Sequence, residues 1–248
     1  MRKSKHFKLL IVAFLWITCT NLLAQDPEAT WDYPVRPGTE KWGQLKDEAE
    51  RLDALQIPDT ILNVIETEEL VIACLNYPAA FHYTAYDNEH VGLQKGISNF
   101  NGLRELFNRN DAGKYLIEHY QNAGANGFII KDRRLNESYW SLRFLYIELL
   151  ISQKEIIQNL EAEDKVLLLE TTLNKFDIKA QHKDIFSKYD NINSALIVAR
   201  IMESNNVEEV VSNSEYMKFA SDRELPDYEI VEKVIELGKE YIKTVKIL

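Results

Sequence analysis

Apolar residues recur at helical spacing along most of this chain. Between Pro78 and Pro226 there is no proline, glycine is sparse, and few runs alternate apolar and polar residues as strands do. The pattern predicts an all-α protein, an irregular multi-helical domain. A curved stack of helical hairpins of the HEAT or armadillo type is the alternative arrangement. A weak echo between residues 101–116 and 193–208 favours the stack, although no strict period supports it.

Spacing and capping residues place the individual helices. One helix is predicted over residues 42–55, a short one begins at Pro58, and one begins at Thr67 as N-cap and ends near Pro78. Residues 82–90 are predicted as a loop. Further helices are predicted near 99–108, 111–121, 162–176, 193–203 and 207–219, with Asp111 as a cap.

Two later helices have clearer patterns. The segment from Asn136 to Ile151 is apolar nearly all round, which predicts a central, buried helix. Ser152 to Glu155 has the spacing of a capping box, so the chain turns and restarts there. The last helix, Pro226 to Val245, is amphipathic, with Glu229 and Lys233 paired on its polar side.

The first residues follow a different pattern. A basic start precedes the unbroken apolar run LLIVAFLW (residues 9–16), and Ala24 supplies a small residue before Gln25. This predicts a signal peptide over residues 1–24, cleaved after Ala24, and export to the periplasm or the medium. Lipid attachment at Cys19 is the alternative, disfavoured because Thr18 stands where a small residue is normal.

The remainder divides into two parts. Residues 25–41 hold several prolines, which predicts an extended arm, and its Trp31 and Tyr33 are expected to anchor it to the body. Residues 42–248 form the predicted helical domain. After cleavage Cys74 is the one remaining cysteine, so no disulfide can form within the chain, and its apolar surroundings predict a core position.

Charge narrows the choice of partner. The formal net charge is −10, and removal of the leader, with its four basic residues, makes the chain more acidic still. An acidic surface repels phosphate backbones and anionic lipid heads. We therefore expect neither nucleic acid nor a membrane surface as partner, and a cationic or neutral partner is easier to accommodate.

Several segments resemble a known group of proteins. They are the arm TWDYPVRPGTEKW (residues 30–42), Gln56 to Pro58, Thr67 to Pro78, and FNGLRELFNRNDAGK (residues 100–114). Together they look like uncharacterised secreted proteins of Bacteroidetes-type bacteria, over about residues 25–120. The resemblance implies export and a shared N-terminal half, and it implies no activity or catalytic residue.

Candidate chemistry is sparse. His82 and His90, with Asp87 and Glu89 between them, form one dense group of potential metal ligands, but zinc sites normally use tighter pairs, and a solvated loop is the simpler interpretation. No nucleophile elbow, zinc-protease or phosphate-loop motif occurs. Acids at 66, 68 and 69 suit a helix start better than a glycosidase pair.

The basic cluster 131–134 either ends one element or contacts an anionic group of a partner.

From this survey no catalytic, cofactor-binding or metal-binding residue is predicted, and no cofactor. The expected function is an exported helical scaffold that binds an unidentified protein or peptide. A hydrolase acting on cell-wall or glycan material, with its site assembled from distant residues, and an envelope-structural component are the alternatives. The oligomeric state is left open.

Overall fold

A computed structural model describes residues 31–123, 137–222 and 227–245. Those residues form an all-helical protein, without strands, as predicted. The predicted signal peptide, residues 25–30 of the arm and the basic cluster 131–134 lie outside the described residues. The α-helices, in chain order, are α1 (Glu40–Gly43), α2 (Glu48–Ala54), α3 (Asp59–Leu62), α4 (Thr67–Leu75), α5 (Glu89–Asn99), α6 (Asn101–Leu106), α7 (Ala112–Asn122), α8 (Glu137–Ile151), α9 (Lys154–Gln158), α10 (Ala162–Gln181), α11 (Ile192–Ser204), α12 (Glu208–Val211), α13 (Ser214–Asp222) and α14 (Tyr228–Val245).

Two 3-10 helices complete the described fold, Ala80–Ala85 before α5 and Lys188–Asn191 before α11. The predicted single helix over 42–55 is wrong, because the chain breaks between α1 and α2. Asp47 causes the restart, since its side chain accepts a hydrogen bond from the Glu50 amide and caps α2.

The described part of the arm is held by one buried side chain. Tyr33 is 3% exposed, and its hydroxyl donates to the Ala73 carbonyl oxygen at 2.9 Å. That carbonyl lies in the last turn of α4, where the helix supplies no N–H donor of its own. Trp31 packs against the core beside Tyr33. The arm therefore caps α4 from outside the helix, in agreement with the predicted role of these two aromatics.

Thr67 corrects a second prediction. It is the first residue of α4 and not its cap, and its hydroxyl donates to the Asp111 carboxylate at 2.9 Å. Asp111 does precede α7, but it makes no side-chain cap bond to that helix. The two residues therefore link the starts of α4 and α7 and do not cap them separately.

Helix α5 was missed by the sequence pattern. It contains Gly92 and Gly96 and few apolar residues, so its periodicity is weak. Gly92 is required by packing: a Cβ there would lie 2.5 Å from the Tyr83 carbonyl oxygen. The close approach docks α5 on the 3-10 helix Ala80–Ala85 and places the start of α5 at a fixed point on the protein surface.

Two helices form the centre of the core. In α8 the residues from Phe144 to Ile151 are all buried, as predicted, and in α11 the residues from Asn193 to Met202 are all buried. Helix α11 contacts α8, α9, α10, α13 and α14, so one apolar core extends through the described structure. The predicted capping box at Ser152 is absent, because its hydroxyl donates back to the Leu149 carbonyl while the chain does turn and restart there.

The C-terminal segments are helical, as predicted, but some of their helices begin or end at other residues than predicted. Helix α10 continues five residues beyond the predicted end, and the predicted helix 207–219 is two helices, α12 and α13. The predicted pair on α14 is present, with Lys233 Nζ 2.7 Å from a Glu229 oxygen. Among the described residues, no helix has the length and apolar character needed to cross a membrane.

Candidate functional site

A cavity of about 250 Å³ opens between the start of α5, the second 3-10 helix, α11 and α13. We call it the α5–α11 cavity. Polar residues line it on both the α5 side and the facing side, and three apolar residues complete the lining. Its lining residues are Asp87, Asn88, Glu89, His90, Tyr189, Asp190, Ile192, Asn193, Leu196 and Phe219.

The α5 side of the cavity is set by a helix cap. The Asn88 side chain accepts hydrogen bonds from the amides of His90 and Val91. Asn88 is therefore the N-cap of α5 and fixes where the helix begins. The cap turns Glu89 and His90 into the first turn of α5. His90 is buried there, and its Nδ1 lies 3.3 Å from the Gln153 amide nitrogen.

The facing side is set by a capping box. Ser187 and Asp190 bond reciprocally around the start of the 3-10 helix Lys188–Asn191, with the Asp190 carboxylate accepting from the Ser187 amide at 2.6 Å. This leaves Tyr189 exposed at the cavity, with 59% of its surface accessible. The next turn carries Asn193, the first buried polar residue of α11.

Glu89 and Asn193 join the two sides. The Asn193 amide donates to Glu89 Oε2 at 3.0 Å, across 104 residues of sequence. Burial raises the pKa of Glu89 above its ordinary value, with the neighbouring acids Asp190 and Glu148 adding to the shift and the Asn193 hydrogen bond and Lys179 opposing it. The carboxylate of Glu89 is therefore only partly compensated by its surroundings.

A buried ion pair adjoins the cavity. Lys179 and Glu148 side chains are both fully buried, and the ammonium donates to the two carboxylate oxygens at 3.0 and 2.8 Å. Tyr120 and Ser194 hydroxyls also donate to Glu148, at 2.6 and 2.8 Å. The ammonium reaches the Asp190 carbonyl oxygen at 2.6 Å, so the pair supports the segment that lines the cavity.

The contact between Lys179 and Ser194 does not form a reactive dyad. Their Nζ and Oγ atoms are 2.8 Å apart, as in a hydroxyl nucleophile with a lysine base. Burial lowers the pKa of Lys179, and the adjacent Glu148 carboxylate opposes that shift. Both side chains are closed to solvent, so the cluster is a structural network.

The residues considered as metal ligands are separated. Asp87, Glu89 and His90 line the cavity, whereas His82 is exposed and lies 3.8 Å from a Glu48 oxygen. No group of three or more His, Cys, Asp or Glu side chains within the described part of the chain is placed to hold a metal ion. Glu68 and Glu69 lie in the first turn of α4, where the helix dipole favours them. Cys74 is buried in α4, as predicted.

Other hollows differ in their charge. One of about 500 Å³ at α9, α11 and α13 contains Lys154 and Glu203, which form an ion pair at 3.5 Å. Another of about 670 Å³, along α14, is lined by two lysines and two glutamates. The first also contains Lys165 and Arg200, so its basic residues outnumber its one acid, whereas in the second acids and bases balance. A third hollow of about 430 Å³, at α11, α12 and α14, is lined by three glutamates and, among its described residues, no lysine or arginine. The α5–α11 cavity likewise has three carboxylates and, in its described lining, no lysine or arginine.

Sequence reasoning pointed to part of this site. It singled out His82, Asp87, Glu89 and His90 as a dense group of potential ligands, preferred a solvated loop to a metal site there, and missed the facing residues Asp190 and Asn193. It also missed Glu148, although a single acid inside the apolar run 144–151 is a signal in itself, since a buried charge requires partners. Its partners, Lys179 and Ser194, are far from it in sequence, and no local sequence pattern identifies them as partners of Glu148.

Comparison of the chain with protein-family models, with curated proteins and with solved structures finds no match.

Proposed function

We propose that this protein is an exported helical binding protein that engages a protein or peptide partner at the α5–α11 cavity. One observation carries the proposal: an exposed aromatic side chain lines the cavity, and two further exposed apolar residues adjoin its lining segment in sequence. Tyr189 lines it, and Tyr86 and Val91 directly flank its lining segment 87–90. These three are among the six large apolar residues that are most exposed in the described structure.

The size and surroundings of the cavity support a side chain as its occupant. At about 250 Å³ it is below the range of roughly 300 to 1,000 Å³ that is typical of drug-sized ligands. Exposed aromatic and branched residues around a small cavity are characteristic of an interface, in which one anchoring residue enters and the rim covers it. Export and a hairpin-stack arrangement of the helices belong to the same proposal.

The test compares two variants that remove equal numbers of exposed apolar residues. Val91→Ser/Tyr189→Ser alters the cavity rim, whereas Val64→Ser/Leu167→Ser alters residues outside the cavity lining. Each variant of the mature chain, and the wild type, is immobilised and exposed to envelope extract, and retained proteins are identified by mass spectrometry.

We expect the wild type and the control variant to retain the same partner, and the rim variant to lose it while keeping the wild-type thermal unfolding temperature. Equal retention by both variants, or no specific retention by the wild type, contradicts the proposal. N-terminal sequencing of the native protein tests export independently, and a start at Met1 refutes it.

A second candidate function is a hydrolase acting on cell-wall or glycan material. One observation favours it: Glu89 faces the cavity with a raised pKa, and Asp190 lies on the opposite wall. A carboxyl group of this kind suits general acid catalysis. Incubation with peptidoglycan fragments distinguishes the candidates, because turnover that disappears in Glu89→Gln supports the hydrolase, and retention without turnover supports the binding protein.

The envelope-structural alternative makes a separate prediction. A self-assembling component would form large particles on its own, whereas a binding protein requires its partner. Light scattering of the mature protein over a wide concentration range separates the two.

A further inference from the structure

The charge of the α5–α11 cavity selects among possible ligands. Asp87, Glu89 and Asp190 contribute three carboxyl groups, and the described lining contains His90 but no lysine or arginine. The closest buried cation, Lys179, donates to Glu148, Ser194 and the Asp190 carbonyl, so its charge is largely engaged by Glu148. An anionic ligand would meet repulsion here, whereas a cation would supply the missing counter-charge.

An aromatic pair next to the cavity already holds an ammonium group. Lys188 Nζ lies 5.0 Å from the ring centroid of Tyr189 and 5.0 Å from that of Tyr228. The two rings are 6.4 Å apart and meet edge to face at 77°. Tyr189 also lines the cavity, so an aromatic ring of the lining already contacts a lysine ammonium, the kind of contact that aromatic faces offer to cations.

The rest of the lining suits an alkyl chain. Ile192, Leu196 and Phe219 are its apolar lining residues, and Leu196 and Phe219 are almost fully buried. A lysine side chain combines four methylene groups with one charged end, so it matches an apolar wall that leads to carboxylates. A guanidinium would find the same charge, but its wide, planar fork is harder to place in a small cavity.

We propose that the α5–α11 cavity binds the lysine side chain of the partner, with Glu89 as its main counter-charge and Tyr189 as its aromatic contact, and that Lys188 competes from within the chain for the same aromatic face. This inference rests on the proposed function and names the chemistry of the anchoring residue. Lys188 lies next to the acidic cavity, over the Tyr189 ring, and is not one of the lining residues.

The probe is Nα-acetyl-lysine methylamide, measured by titration calorimetry and by NMR on the mature protein. Acetylation of its side-chain nitrogen keeps the length and removes the charge, so that form serves as the ligand control. Butylammonium serves as the free-amine control. We expect the charged peptide unit to bind, the acetylated one to bind at least about tenfold more weakly, and butylammonium to bind no more tightly than the peptide unit.

Variants locate the site. Glu89→Gln should weaken binding of the probe about tenfold, whereas Glu155→Gln, which removes the same charge from an exposed position on α9, should leave it unchanged. Lys188→Met should strengthen binding a few-fold, by about the value of one cation–π contact. Lys114→Met is its matched control, because Lys114 also lies over a tyrosine ring, that of Tyr115, on another helix.

Several outcomes overturn the inference. Equal binding of charged and acetylated probes, unchanged binding in Glu89→Gln, or weaker binding in Lys188→Met each contradicts it. Tighter binding of free butylammonium than of the peptide unit replaces the lysine side chain with a free amine as ligand. If the rim variant loses its partner but no charged probe binds, this inference fails and the proposed function stands. If neither depends on the cavity, both fail.

Discussion

Glu89 has a cost to the folded protein that a ligand can offset. A carboxylate that is half-buried beside other acids is less well solvated than in the unfolded chain, and the direction of its pKa shift reflects that loss. Residues that serve binding often reduce stability in this way. The same side chain therefore gives a stability prediction that does not require the ligand.

Glu89→Gln should make the protein more stable near neutral pH. A carboxyl whose pKa is raised in the folded state stabilises that state fully below its ordinary value of 4.5, and this contribution is lost as the pH rises through the folded-state value. Glutamine cannot ionise and keeps an oxygen to accept from Asn193. The unfolding temperatures of variant and wild type should differ near neutral pH and converge below about pH 4. A constant difference at all pH values contradicts the prediction.

The Glu148–Lys179 pair should show strong coupling. Removing one partner leaves a charge in the core, which costs about 3 to 5 kcal/mol in the free energy of unfolding. Glu148→Leu and Lys179→Met should each have an effect of that size. Together they should cost clearly less than the sum, because no lone charge remains. Urea unfolding of the two single variants and the double variant measures the coupling, and additive effects argue against it.

At the scale of elements, close approach decides the position of α5. This helix meets the 3-10 helix Ala80–Ala85 at Gly92, where there is no room for a side chain. Its propensity is low, and tertiary packing compensates. The same approach fixes one wall of the cavity, since the first turn of α5 lines it.

Gly92→Ala and Gly96→Ala should have opposite effects on stability. At Gly92 the new Cβ would lie 2.6 Å from Tyr83 Cα, a backbone atom, so α5 has to move. At Gly96 the nearest atom is 3.6 Å away, on Leu103, which is ordinary contact. Alanine favours a helix over glycine by about 1 kcal/mol, so Gly96→Ala should stabilise the protein. Gly92→Ala should destabilise it and weaken ligand binding, and equal thermal shifts in the two variants refute this account.

On the scale of the whole molecule, a single core joins the two halves of the described chain. Tyr33, near the first described residue, and Ile235, in α14, belong to the same buried cluster. Helix α11 joins the halves because it packs on α8 as well as on α14. A shared core predicts one cooperative unfolding transition.

Cys74 provides a probe of that transition. It is fully buried in α4, and burial raises the pKa of its thiol, so the native protein should not react with thiol reagents. Its labelling should begin in the same range of denaturant as the loss of helical circular dichroism. Labelling at clearly lower denaturant would mean that the N-terminal half opens independently, against a shared core.

Local pattern was sufficient for two helices. The apolar residues of 136–151 lie nearly all round the helix and predict burial, whereas those of 226–245 form one stripe and predict an amphipathic helix. The pattern was insufficient for α5, because two glycines weaken its apolar periodicity. It also missed the break in residues 42–55, because the apolar residues keep helical spacing across the new helix start at Asp47. Caps were the least predictable detail, as Thr67 and Ser152 show, because their hydroxyls found other partners.

The sequence by itself determined the helical class, the buried character of α8, the acidic balance and the choice of Cys74 as a core residue. These properties depend on composition and on the spacing of residues within one helix, and both can be read directly from the sequence. Only the tertiary structure brought Glu89 to Asn193 and Glu148 to Lys179, and so decided where the cavity lies and what charge it has. Contacts between residues so far apart in sequence depend on how helices pack, and no local spacing encodes that geometry.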